Sequence, residues 1–167
     1  MKEIKNCLTV HEERTLTAIA ERIFPASDTP GAVEAGAVQY ILIALRGAYA
    51  SQLPFYRSGL RAVNRRARER FGGRFAALSD TDQNTILSEF EAGSVPNWKK
   101  AAEFFETLRY HVLEGVFCEP QYGGNKGMLG WRLVDFPGQQ FGYAEAYINK
   151  RVDLEPLAVD DSEGEGK

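Results

Sequence analysis

Apolar positions recur at helical spacing in five separate stretches of this chain, each bounded by residues that start or stop helices. Leu16, Ile19, Ala20, Ile23 and Phe24 fall at i, i+3, i+4, i+7 and i+8, on one face of a first predicted helix. Thr9 and Glu12 have the spacing of a capping box ahead of it, and Pro25 closes it into a turn-rich link over residues 25–32. A second helix is expected over about residues 33–48. Its Val38, Ile41, Leu42 and Leu45 leave it apolar nearly all round, the pattern of a helix at the buried centre of a bundle. Pro54 suits the first turn of a third helix, which runs to about residue 71 and stops at Gly72-Gly73. Ser79 to Asp82 offer an N-cap for a fourth, with Ile86, Leu87 and Phe90 inward and Gly93 as its stop. Pro96-Asn97 opens a fifth, through about residue 116, with Phe104, Phe105, Leu108, Val112 and Val116 inward. The fold class is therefore mainly α: a single-domain helical bundle.

The helical pattern breaks over residues 117–138, which read FCEPQYGGNKGMLGWRLVDFPG. Glycine and proline at this density forbid a continuous helix, because one supplies positive φ cheaply and the other lacks a backbone donor. Phe117, Tyr122, Trp131 and Phe136 make the stretch too apolar for a solvated linker. A long ordered loop rich in glycine and aromatics is expected here, and such loops are usually functional. Trp131 to Phe136 could form a short extended segment, and a short helix is plausible around residues 143–149. The chain then divides into an extension at 1–8, a helical domain at 9–150 and an acidic, glycine-rich tail at 151–167, expected to be disordered.

Composition narrows the chemistry. With 167 residues, 44% apolar and 26% charged, the chain is long enough for one core and has a soluble globular balance. The net charge of −3 gives no global attraction to nucleic acid or anionic lipid. Two histidines exclude a histidine-rich metal site, and Cys7 and Cys118 lie too far apart in sequence for a CxxC motif. The first residues lack the apolar core of a secretory signal and a twin-arginine pair, so a cytoplasmic location is expected, or a periplasmic one if a signal-bearing partner exports the chain.

Three features could carry function. Arg57, Arg61, Arg65 and Arg68 follow i, i+4, i+8 and i+11 on the third helix, with Arg66, Arg70 and Arg74 close by and Glu69 the one local acid. This stripe could be a solvated face, a dock for an acidic partner, or a phosphate track. His111 and Cys118 would share a face if the fifth helix continued. They read either as a nucleophile pair of a thiol hydrolase or as a buried histidine and an inert small thiol. Gly123, Gly124, Gly127 and Gly130 fit neither GxxxxGK[ST] nor GxGxxG after a strand, so turn formation accounts for them better than a nucleotide cradle. Trp131 reads equally as a core anchor and as a partner contact.

Two strings together resemble a known family: Arg22 to Gly36, RIFPASDTPGAVEAG, and Glu114 to Asn125, EGVFCEPQYGGN, continued by Gly130-Trp131 and Phe136-Pro137-Gly138. In order and spacing they are similar to the gluconate 2-dehydrogenase subunit 3 family. The resemblance implies a non-catalytic small subunit of an FAD-dependent sugar or sugar-acid dehydrogenase. Its partner would be a large catalytic subunit of the glucose–methanol–choline oxidoreductase (GMC) type, which carries the FAD, with an iron–sulfur cluster as a further option. A cytochrome c could belong to the same complex. The small subunit would bind, stabilise or mature the large one, without nucleic acid and without inserting into a membrane. On this reading the chain holds no catalytic, cofactor or metal residues. The expected contact residues are Phe117, Tyr122, Gly123, Gly124, Asn125, Gly130, Trp131 and Phe136, with Arg57, Arg61 and Arg65 steering the approach.

Overall fold

The computed structural model describes residues 7–138 and 155–158. Six α-helices make up the described fold: α1 (Val10–Ile23), α2 (Ala37–Ala44), α3 (Leu53–Phe71), α4 (Asp80–Glu91), α5 (Ala101–Phe117) and the short α6 (Leu129–Leu133). No strand occurs among the described residues. Among them the one β-type pairing is an isolated bridge between Gly138 and Leu157. The mainly helical class read from the periodicity is what the chain adopts.

Local signals set most helix ends. Thr9 accepts a hydrogen bond from the Glu12 amide while the Glu12 carboxylate accepts from the Thr9 amide, completing the capping box. Ser79 caps α4 by accepting from the Asp82 amide. Pro54 sits in the first turn of α3, and Gly72 ends that helix at φ +72°, a conformation that costs little without a Cβ.

Two expected helices are shorter than their apolar patterns. The second spans residues 37–44 rather than 33–48. Gly36 adopts φ +81° ahead of it, and the carbonyl of Ala35 accepts from the Lys126 amide instead of a helical partner. After Ala44 the chain turns, with the Tyr49 amide donating to the Ala44 carbonyl. Nor is this helix the buried centre: Ile41 is buried but Ile43 faces outward. The fifth helix begins at Ala101 rather than near Pro96, because Asn97 takes a left-handed φ of +59° and makes a turn of that segment.

Burial of the inner faces holds the bundle together. Phe104 on α5 is its hub, meeting Phe55, Tyr56, Phe90 and Trp98 at ring-centroid separations of 5.5–6.3 Å, mostly edge to face. Leu16 and Ile19 of α1, Leu60 and Val63 of α3 and Ile86 of α4 complete a core closed to solvent. α5 packs chiefly on α2 and α4, so its C-terminal end lies beside α2, where the glycine-rich segment begins. The expected helix at 143–149 and most of the 151–167 tail lie outside the described residues. Within that tail, the Leu157 amide donates to the Pro137 carbonyl, and Glu155 pairs with Arg132 at 2.5 Å.

Candidate partner-binding surface

The segment after α5 is ordered by a few directional bonds centred on Asn125. Cys118 leaves helical geometry and ends α5, and two 3-10 turns follow, Pro120–Tyr122 and Lys126–Met128, before α6. Asn125, wholly buried at φ +43°, uses all of its polar groups. Its amide donates to the Gly115 carbonyl at 2.7 Å, and its carbonyl accepts from the Met128 amide at 2.8 Å. Its side-chain Nδ2 donates to the Cys118 carbonyl at 2.9 Å, and Oδ1 accepts from the Gly130 amide at 2.8 Å. One side chain therefore satisfies the last turn of α5 and the first turn of α6 together.

Two glycines let this happen. A Cβ on Gly124 would lie 2.2 Å from the Gly115 carbonyl oxygen, and one on Gly130 would lie 2.0 Å from that of Val116. Both approaches are to helix backbone, which cannot swing aside. The space that a nucleotide cradle would leave for phosphates is filled here by α5 itself. At Gly123 the neighbour is the Ile43 side chain of α2.

Trp131 belongs to the same frame. It lies in α6, not in an extended segment, and is 4% exposed, with its indole N–H donating to the Phe117 carbonyl at 2.7 Å. Phe117 is partly buried and meets Phe24 edge to face. What this frame presents outward is a smaller set. Tyr122 is 56% exposed and Phe136 47%, the latter standing edge-on to Trp131 with Val134 exposed nearby. A shallow hollow lies between Phe117, Trp131, Val134, Asp135 and Phe136. Of the eight loop residues expected to form a contact surface, Tyr122 and Phe136 stand well into solvent, while Gly124, Asn125, Gly130 and Trp131 hold them in place.

Other exposed apolar side chains lie outside the segment. Ile43 lies against Gly123, and Tyr110 and Leu113 are exposed on α5. Beside them Glu114 accepts from the Tyr40 hydroxyl at 3.1 Å and the Tyr49 hydroxyl at 2.9 Å. A signal for Ile43 was present in the sequence: a helix apolar all round that turns out to be peripheral must expose part of that surface.

Three of the four arginines of the stripe enter local ion pairs. Arg57 reaches the Cys7 carbonyl at 2.7 Å and lies 3.9 Å from Glu12, whose carboxylate also pairs with Arg61 at 3.2 Å. Arg65 pairs with Glu69, and Arg66 and Arg70 converge on Glu89. The Arg66 guanidinium holds the Glu89 carboxyl below its ordinary range. Glu12 and Glu89 come from α1 and α4, so a reading confined to the third helix saw only Glu69.

His111 and Cys118 form no pair. The Nδ1 of His111 is 2.6 Å from the Tyr56 hydroxyl, and its ring stacks on Tyr49 at 4.4 Å. Burial pushes its pKa down, against a smaller opposing pull from Glu114. The Cys118 thiol points to the Gly115 carbonyl, and burial pushes its pKa up. A thiol held protonated beside a carbonyl is not an activated nucleophile. Among the described residues, no group of three His, Cys, Asp or Glu side chains is placed to hold a metal, and no helix is long and apolar enough to cross a membrane.

A family model described as gluconate 2-dehydrogenase subunit 3 matches residues 10–138, which run from the start of α1 to the Gly138 bridge. Neither a curated protein nor a solved structure matches the chain significantly. The matched span covers all six helices and the Asn125-centred segment, and on it the chain belongs to the gluconate 2-dehydrogenase subunit 3 family.

Proposed function

We propose that this chain is a non-catalytic small subunit that binds and stabilises, or helps mature, a large FAD-containing catalytic subunit of the GMC type in a sugar or sugar-acid dehydrogenase. The observation that carries the reading is the contrast within residues 117–138. A frame locked by Asn125, Gly124, Gly130 and Trp131 holds Tyr122 and Phe136 in solvent. Large apolar side chains fixed in an exposed position lose little entropy on docking, and aromatic residues are favoured at the centres of interfaces. The state of His111 and Cys118 supports the same view, since the one nucleophile–base pair suggested by the sequence is not assembled.

The partner would supply the flavin and the substrate pocket, and this chain would supply a complementary surface. Binding only to the native large subunit raises that subunit's stability by mass action, so a subunit without chemistry can control the yield of active enzyme. The test is co-expression with the large flavoprotein that copurifies from the source cell. A double variant, Tyr122→Ser with Phe136→Ser, should leave the isolated domain folded by circular dichroism while sharply lowering recovery of flavin-loaded complex. Undiminished recovery with the double variant would rule out this surface as the contact.

A further inference from the structure

Three arginines without a carboxylate partner, Arg14, Arg68 and Arg74, face one cleft. It has a volume of about 390 Å³ and is bounded by the start of α1, the middle of α3 and the 3-10 turn Phe75–Ala77. Arg14, Arg61, Arg68 and Arg74 line it, and Glu12 is its one carboxylate. Glu12 is already committed to the capping box and to Arg61. Arg14 and Arg68 form no ion pair among the described residues. Arg74 lies against the ring nitrogens of His11, at 2.9 and 3.2 Å, rather than against an acid.

The floor of this cleft, by contrast, is fully bonded. Asn64 donates to Thr15 Oγ1 at 2.7 Å and to the Leu60 carbonyl at 3.1 Å, and its Oδ1 accepts from the Phe75 amide at 3.2 Å. Thr15 in turn donates to the His11 carbonyl. One asparagine thus fixes α1, α3 and the turn relative to one another and sets the spacing of the guanidinium groups above. Guanidinium groups recognise carboxylate and phosphate oxygens through paired N–H donors, and a concave site of this size suits a small molecule.

We infer that this cleft binds a small multivalent oxyanion, a polycarboxylate or an oligophosphate, between Arg14, Arg68 and Arg74. The site lies on other elements than the Tyr122–Phe136 surface and does not depend on the role proposed for it. The test titrates the full-length, ¹⁵N-labelled chain with pyrophosphate, citrate and, as a neutral control, mannitol, following backbone amides by NMR. Pyrophosphate, citrate or both should give saturable shifts confined to residues 9–15, 61–68 and 73–77, and mannitol none. Arg14→Gln and Arg68→Gln should each weaken binding by about tenfold, equivalent to about 1.4 kcal/mol. Arg65→Gln, a change at a residue paired with Glu69 and absent from the cleft lining, should leave it unchanged. Shifts that fail to saturate, or an equal loss in Arg65→Gln, would overturn the site in favour of diffuse surface charge. Tighter binding of a hexaglutamate peptide than of either small anion would overturn it in favour of a protein-docking surface.

Discussion

The bundle around Phe104 and the segment around Asn125 are both well packed, yet different physics holds them. The Phe104 region is a set of rings and aliphatic side chains whose contribution is area removed from water, which is large and non-directional. The Asn125 region has few apolar contacts of that kind. It depends on one buried amide side chain, two glycines and an indole N–H, each aimed at a particular backbone group. The first arrangement makes a fold and the second makes a fixed shape on its surface. The proposed role needs both, and the second is the more easily lost.

The largest expected effect lies in the bundle. Phe104→Ala should destabilise the whole domain by about 3–5 kcal/mol, read as a lower midpoint in urea for every probe. Asn125→Ala comes next, at about 3 kcal/mol. It strands the buried Gly130 amide and the Cys118 carbonyl, and an unpartnered buried group costs about 1–3 kcal/mol. Its signature should be local: hydrogen exchange at residues 118–133 should quicken far more than at α1 or α3. If both variants loosened all regions alike, the two-part picture would be wrong.

Smaller changes sharpen the contrast. Trp131→Phe keeps most of the ring but removes the donor to the Phe117 carbonyl, and should cost about 1–2 kcal/mol, with exchange again quickened mainly in α6. Acid should act on the bundle side. The folded state holds the His111 pKa below its ordinary 6.5, so the unfolded chain binds more protons in that window. Stability contributed by this neutral imidazole is therefore complete above about pH 6.5 and is lost as pH falls toward the folded value. Denaturation midpoints measured from pH 7.5 to 5 should decline, and His111→Gln should flatten that decline. Arg65→Gln, at an exposed i,i+4 pair, should change stability by less than about 0.5 kcal/mol.

Much of the bundle was legible because its signals are local. The Thr9–Glu12 box, the Ser79 cap and the Gly72 stop each act within four residues and form as their spacing suggests. The shortened α2 was not legible, since its boundary depends on Lys126, some ninety positions away, taking the Ala35 carbonyl. In the glycine-rich segment the sequence showed an ordered apolar loop but not which of its residues face inward. Asn125 and Trp131 look like exposed recognition residues in a polar, aromatic string, and only the approach of α5 shows that they face inward. The arginine stripe, read from one helix, does not show which of its members are paired. Its neutralising acids and its unpaired members are sorted by α1 and α4, which a single-helix reading does not include.

The proposed role requires this chain to offer a fixed surface to a larger flavoprotein. Hydroxyl-radical footprinting of the free chain and of the copurified complex tests it most directly, because it reads side-chain exposure at named residues. Tyr122 and Phe136 should lose most of their reactivity in the complex, while Phe71, exposed at the C-terminal end of α3, keeps its own. Equal labelling of Tyr122 and Phe136 in both states would contradict it.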